Sequence, residues 1–439
     1  MDDIVLMLSG RDILGLTLLV VFLILPIALS RFPHNGDPEK TPTLIALQKR
    51  VGLEQLNSGL FFIASVMWLL VFASLFVGLL ATIWLVISTK TPTSSDGIWD
   101  WRFTLVGLAA LTATMGAVVA LPFTLVRLTY VRRQTDTATQ ALFNDKIDTA
   151  VSDLYAQRQI TKWEQADKPT GWQDDVTRRN GAIDRLLGLA KEEPESAPRI
   201  ARILSVYVKE LSRENKAQTT PEDAEPIDLR EWAQGLSVAR SDMQNAVQVL
   251  GKLRKESGMP LEDGEIDLSE TNLQGFDLKS LNFEKVSFRL AKLQGASLTD
   301  TQLQGANLSG ARLQGADLWD AQLQGAVLKV PELQGADLEH AQLQGADLEQ
   351  ADFDAETTLS GARFSYAGLS GVDFSKTSIT QEQLESAFGD ASVTLPDGKG
   401  PNDPEWPEHW SKEKLDYNDF QTQWRAFQKA GGFDPDNPN

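Results

Sequence analysis

The chain has 439 residues, with 41 Lys and Arg against 60 Asp and Glu, three His and no Cys, for a net charge of −19 at pH 7. Without Cys there is no disulfide, no thiolate nucleophile and no cysteine-held metal. His34, His340 and His409 stand apart from one another, and Gly398-Lys399-Gly400 lacks the spacing and the hydroxyl of a phosphate loop, so no catalytic, cofactor or metal site is expected and the chain reads as a non-enzyme.

Three apolar runs come first: Ile13 to Leu29, Leu60 to Ile87 and Phe103 to Val126. Each reaches or approaches the ~20 residues that cross a hydrocarbon core. A cleavable leader is the alternative for the first run, but no Lys or Arg precedes Arg11 and the small-residue cleavage pattern is missing. Trp99 and Trp101 suit an interfacial belt before the third run. Basic residues are richer in the first loop (Arg31, Lys40, Lys49, Arg50) and after the third run (Arg127, Arg132, Arg133) than on the opposite side (Arg11, Lys90, Arg102). That bias places the N-terminus outside the cytoplasm and the bulk of the chain inside. The runs hold no ionisable residue, which argues against a proton relay. Thr112, Gly116 and Ala120 form a small-residue stripe for helix packing, within the chain or in a homo-oligomer.

The expected domains are 1–133 in the membrane, 134–258 helical, 265–375 a solenoid, and 376–439 a cap and tail. In the helical part, Leu142, Phe143, Ile147, Val151, Leu154 and Tyr155 share one helical face. Ile183, Leu186, Leu187 and Ala190 share another, as do Ile200, Ile203, Leu204, Tyr207 and Leu211, and then Met243, Ala246, Val247, Leu250 and Leu253. Lys162–Asp175 and Lys216–Ile227 read as loops.

From Leu268 to Phe353 a Leu or Phe recurs at every fifth position, and after one extra residue the ladder resumes at Leu359, Phe364, Leu369 and Phe374. Five is neither the helical nor the strand period, so the pattern means a solenoid. The residue two before each centre is Ala in 13 of the 22 units. The unit, as in Ala316-Asp317-Leu318-Trp319-Asp320, resembles the pentapeptide repeat family with its A-D/N-L-x-x motif. The resemblance implies a right-handed quadrilateral β-helix with four units per coil, hence about 5.5 coils and a rod about 26 Å long at strand spacing. The fold class is then an α+β multidomain membrane protein with three transmembrane helices, an α-helical linker domain, the β-helix and a C-terminal cap. Phe276, Leu281 and Val286 replace the small residue near the start, which predicts an irregular first coil. Arg178–Pro194, Leu204–Glu210 and Gln244–Arg254 look more loosely like the helical module that lies between membrane spans and pentapeptide repeats in a group of bacterial proteins.

Leu-Gln-Gly recurs at 273, 293, 303, 313, 323, 333 and 343. The side centred on Leu303, Leu323 and Leu343 is flanked by Gln302, Gln304, Gln322, Gln324, Gln342 and Gln344, which predicts stacked amide ladders. The side centred on Leu298, Leu318 and Leu338 carries Asp300, Asp317, Asp320, Asp337 and Glu339 around Trp319, with no Lys or Arg. It is an acidic stripe that either binds a partner or keeps the rod soluble. Thr380-Gln381-Glu382-Gln383 reads as a capping box, Trp406, Trp410 and Trp424 as anchors that fold back, and Gly431–Asn439 as frayed.

The repeat segment 265–375 has seven basic and 17 acidic residues. Such a surface repels nucleic acid, so no direct nucleic-acid binding is expected and a protein partner should be basic. The reading is a scaffold anchored through inner-membrane lipid, with its soluble domains in the cytoplasm of a bacterium. Two alternatives stand beside it: a DNA mimic acting on a gyrase-like enzyme, as the quinolone-resistance members of the family imply, and an oligomerising membrane effector in stress or phage defence.

Overall fold

A computed structural model describes residues 57–88, 95–161, 170–221, 224–238, 240–260 and 264–434. The first apolar run, Ile13 to Leu29, and most of the charge bias around it lie outside the described residues. The chain divides into two compact units, 1–143 and 144–439.

In the first unit, the second and third apolar runs are the helices α1 (Ser58–Ser88) and α2 (Ser95–Leu154). Both are long and apolar enough to cross a membrane. Their hydroxyls are satisfied within the helix: Thr112 donates to the Leu108 carbonyl at 2.7 Å and Thr124 to the Ala120 carbonyl at 2.8 Å. Pro122 sits inside α2 and has no N–H to offer the carbonyl of Val118, four residues earlier. The Trp68 indole of α1 donates to that carbonyl at 2.8 Å, so the group that proline leaves without a partner is filled from the neighbouring helix. Thr112, Gly116 and Ala120 are exposed, and a Cβ placed on Gly116 would meet nothing within 4 Å. The boundary expected between 133 and 134 falls inside α2.

The second unit starts with the end of α2. A hairpin follows, β1 (Gln157–Thr161) antiparallel to β2 (Thr170–Asp174). The loop expected over Lys162–Asp175 is therefore partly strand. Its last residue is pinned from outside, because Asp174 takes a guanidinium from Arg179 and another from Arg240, each at 2.6 Å. Four helices come next: α3 (Val176–Glu192), α4 (Ala197–Glu214), α5 (Pro226–Gln234) and α6 (Ser241–Ser257). The apolar faces expected on α3, α4 and α6 supply the core, with Ile183, Leu186, Ile200, Leu204, Val247 and Leu250 fully buried. The short α5 emerges from the segment read as a loop. Proline in its first turn and the acidic Asp228 suit a helix start.

In the rod, bridges join residues 20 apart without a break from Asp267↔Ser287 to Glu332↔Asp352, and 21 apart after the inserted residue, as in Asp337↔Thr358. Four pentapeptides thus make one coil. The Leu and Phe centres and the Ala residues before them are buried, filling the interior. We number the sides by their centres: side one runs through Leu268, Phe288 and Leu308; side two through Leu273, Leu293, Leu313 and Leu333; side three through Leu278, Leu298, Leu318 and Leu338; side four through Phe283, Leu303, Leu323 and Leu343. The first coil is regular, contrary to expectation. Its bulky Leu281 is accommodated because it lies at the open end, against α6, where a Cβ added to Gly251 would come within 2.7 Å of the Leu281 Cβ.

The far end is closed by α7 (Gln381–Ser386), whose capping box forms as expected, and by α8 (Tyr417–Ala430). Trp406, Trp410 and Trp424 are buried, and the indoles of the last two donate to the Ala387 and Tyr366 carbonyls at 2.9 and 2.7 Å. Within the segment expected to fray, Gly431 and Phe433 are held against the rod. The Tyr366 hydroxyl donates to the Gly431 carbonyl at 2.9 Å, and the Phe433 ring stacks on Tyr366 at 5.3 Å.

Candidate interaction face of the rod

The Asp or Asn of each A-D/N-L unit has a local task. Its side chain accepts the backbone N–H two residues on, bracing the corner of the coil. Asp317 takes the Trp319 N–H at 3.2 Å, Asp337 the Glu339 N–H at 3.0 Å, and Asn307 the Ser309 N–H at 3.0 Å. The corner itself needs a left-handed backbone, with φ between 53° and 61° at Asp300, Asp320, Val330 and His340. Glycine is the low-strain solution and supplies the corner in every Leu-Gln-Gly unit.

Side three brings the six residues singled out in the sequence onto one face. Asp317 bridges to Asp337, the Asp300 N–H donates to the Trp319 carbonyl at 3.0 Å, and the Asp320 N–H donates to the Glu339 carbonyl at 3.0 Å. Trp319 is 38% exposed and meets the His340 ring edge-on at 6.2 Å. The acids divide into two kinds. Asp317 also accepts from the Thr299 hydroxyl at 2.7 Å and the Ser297 hydroxyl at 3.3 Å, and Asp337 accepts from the Thr358 hydroxyl at 2.6 Å. These two carboxylates are engaged within the rod. Asp300, Asp320 and Glu339 receive no side-chain hydrogen bond among the described residues, apart from a His340 nitrogen 3.6 Å from Glu339. They flank Trp319 with carboxylates that no side-chain hydrogen bond engages.

The amide residues of side four start with a straight stack, Asn282 donating to Gln302 at 2.7 Å, and pair diagonally from there on. Gln304 donates to Gln322 at 2.7 Å and Gln324 to Gln342 at 2.8 Å, each bond joining residues 18 apart. The residue after one centre thus reaches the residue before the next.

Side two is covered, which the sequence reading missed. A Cβ at Gly275 would come within 2.6 Å of the Leu236 carbonyl oxygen, one at Gly295 would strike the Ala233 carbonyl, and one at Gly315 would come within 2.6 Å of the Ala233 side chain. Gly335 faces Arg230, whose guanidinium reaches the Glu356 carboxylate at 3.7 Å. Helix α5 and the chain after it therefore lie along a column of glycines spaced by 20. At the start of the same side, Ser212 and Asn215 of the α4 end bond Asn272, and Gln218 bonds Gln274 at 2.8 Å. The ten-residue recurrence of Leu-Gln-Gly was the available signal, since four of its seven glycines fall on this side.

A rod of 20-residue coils, braced by Asx corners and filled by Leu, Phe and Ala, is a pentapeptide β-helix. The pentapeptide repeats family model matches eight copies over residues 266–305, 291–329 and 332–355. The chain belongs to this family. Among solved structures it is similar to Rfr23 from the cyanobacterium Cyanothece 51142, at 38% identity over 20% of this chain and 58% of that one, with a TM-score of 0.19. It is similar to HetL from Nostoc sp. strain PCC 7120, a protein involved in heterocyst differentiation regulation, at 30% identity over 32% of this chain and 76% of that one, with a TM-score of 0.22. QnrB1, a plasmid-mediated fluoroquinolone resistance protein, matches at 19% identity over 38% of this chain and 90% of that one, with a TM-score of 0.16. No curated protein matches the chain.

Proposed function

We propose that the protein is a membrane-anchored, non-enzymatic scaffold whose rod offers side three to a basic protein surface. One observation carries the reading: three carboxylates that receive no side-chain hydrogen bond flank a partly exposed tryptophan in the units centred on Leu298, Leu318 and Leu338, which hold no Lys or Arg, while side two is taken up by α5. Trp is enriched where protein surfaces meet, and a rod with its backbone groups paired loses little entropy on docking. The three apolar runs hold it in a bacterial inner membrane, with the N-terminus outside and the helical unit and rod in the cytoplasm.

Cross-linking in cells tests the face. Wild type is compared with Asp300→Asn, Asp320→Asn, Glu339→Gln and Trp319→Ala combined, and separately with Asp317→Asn and Asp337→Asn combined. The first set should lose partners and the second should keep them. An unchanged partner set in both reduces the stripe to a solubility device. The lack of native Cys makes topology equally direct: Ser94→Cys should react with an impermeant thiol reagent from outside and Thr137→Cys only after the membrane is opened. The reverse pattern overturns the orientation.

A further inference from the structure

Away from the rod, the hairpin and α4 enclose a cleft of about 360 Å³ in the helical unit. Its floor holds Arg179, which is buried. Its donors are spent: Nε goes to the Ala156 carbonyl at 3.1 Å, one terminal nitrogen to Asp174 at 2.6 Å, and the other lies 3.8 Å from Asp242. Asp174 is equally committed, holding Arg179 with one oxygen and Arg240 with the other. The floor therefore offers no free charge of either sign.

The rim is different. Glu210 and Glu214 line the cleft one helical turn apart on α4, and Glu214 ends that helix. Like charges at this spacing repel, and a carboxylate in the last turn opposes the helix dipole. Both penalties disappear when a cation sits between them. Glu210 is already oriented, because the Tyr155 hydroxyl donates to one of its oxygens at 2.9 Å and leaves the other open. Burial first, and then Glu210, push the Tyr155 hydroxyl up to about 12, so it remains a donor at neutral pH. Tyr155 meets Tyr207 edge-on at 6.0 Å and is itself 52% exposed, leaving ring surface at the cleft mouth.

We propose that this cleft binds a guanidinium group, stacked on Tyr155 and bridging Glu210 and Glu214. A planar fork of five donors spans two carboxylates where a point-like ammonium reaches one, and a delocalised cation suits an aromatic face. The group can be carried by a free small molecule or by an arginine side chain, and the two are separated by probe.

The test is calorimetric titration of the full-length protein in detergent with agmatine, with acetyl-Gly-Arg-Gly-amide, and with the citrulline version of that tripeptide, which keeps the shape and loses the charge. Saturable one-to-one binding of agmatine assigns the cleft to a small ligand, and binding of the arginine tripeptide alone assigns it to a peptide-borne arginine. In both cases the citrulline tripeptide should bind at least about tenfold more weakly, the size of a lost charge-assisted pair. Glu210→Gln combined with Glu214→Gln should weaken the guanidinium probe by the same order while leaving the melting temperature unlowered, since both residues are on the surface. Glu408→Gln with Glu413→Gln, both exposed in the tail and outside either site, should change nothing. Failure of both guanidinium probes to bind, undiminished binding in the Glu210/Glu214 variant, or equal affinity for the citrulline tripeptide overturns the proposal.

Discussion

Two residues on the rod carry a cost that a single substitution can read. Val330 holds a corner at φ 53° with its side chain 55% exposed. A β-branched residue there carries left-handed strain of about 1–2 kcal/mol with little packing in return. Val330→Gly removes the strain but makes the unfolded chain freer by about 0.5–1 kcal/mol, so a net gain of up to about 1 kcal/mol is expected in urea unfolding. Asp352 is the second. Burial, and then the neighbouring carboxylates of Glu332, Asp354 and Asp373, raise its pKa above the ordinary aspartate value. A raised folded-state value means that the ionised carboxylate costs stability at neutral pH. The cost falls away as pH drops through the raised value and is gone near the unfolded value of about 3.9. Asp352→Asn should therefore raise the melting temperature at pH 7, and the advantage should shrink steadily as the pH approaches about 4. The gain stays below about 1 kcal/mol, because the carboxylate is only partly withdrawn from solvent, which still screens it. A pH-independent gain would point to packing instead of charge.

Between elements, the glycine column of side two decides whether α5 can lie on the rod. Gly295 and Gly305 have the same φ of 63°, yet a Cβ at Gly295 runs into the Ala233 backbone and one at Gly305 meets only the Lys285 side chain at 3.3 Å. Gly305→Ala should cost the left-handed penalty of about 1–2 kcal/mol and no more. Gly295→Ala should cost more and release residues 224–238, seen as faster amide exchange there. Equal losses with unchanged exchange would mean that α5 does not depend on the glycine. The apolar helices make a parallel case. Trp68→Phe strands the Val118 carbonyl that Pro122 cannot serve, at a cost of about 1–2 kcal/mol. Pro122→Ala restores the N–H, so in that background Trp68→Phe should cost distinctly less, a coupling that a double-mutant cycle in detergent measures. Additive costs would show that the indole and the proline are independent.

For the molecule as a whole, what could be read in advance followed from local periodicity, and what could not followed from contacts between distant segments. The coil length, the filling by Leu268 and its successors, the apolar faces of α3, α4 and α6 and the capping box at Thr380 each come from spacing within a few residues. That α5 and the chain after it would cover Gly275 to Gly335 depends on residues 39 to 105 positions apart. The difference between Asp317, whose carboxylate is taken by hydroxyls of the adjoining coil 18 and 20 residues back, and Asp320, whose carboxylate is free, also lies beyond local spacing. The six residues grouped as an acidic face share one side of the rod, but their availability could not be told from their letters. The strand at Thr170–Asp174 was hidden for the same reason, since Arg240 of a later segment anchors its end.

Charge is the property that acts on every part at once. The chain carries −19, and seven basic against 17 acidic residues fall between 265 and 375. Folding gathers those acids onto a rod whose sides bring residues 20 apart next to each other, as with Asp317 and Asp337. Opposing this are ion pairs that are mostly exposed, such as Lys146–Glu192 and Arg199–Asp148, each contributing about 0–1 kcal/mol. Repulsion spread over many acids should outweigh them, and salt screens both over a distance of about 10 Å at 0.1 M. Raising NaCl from about 0.02 to 0.5 M should therefore raise the melting temperature of the purified protein, with most of the rise below about 0.2 M where the screening length changes fastest. The buried pairs around Asp242 should contribute little to this response, because solvent ions do not reach a carboxylate that is fully enclosed. A melting temperature that falls with salt would mean that the surface ion pairs, not the repulsion among rod carboxylates, dominate the electrostatics of the fold.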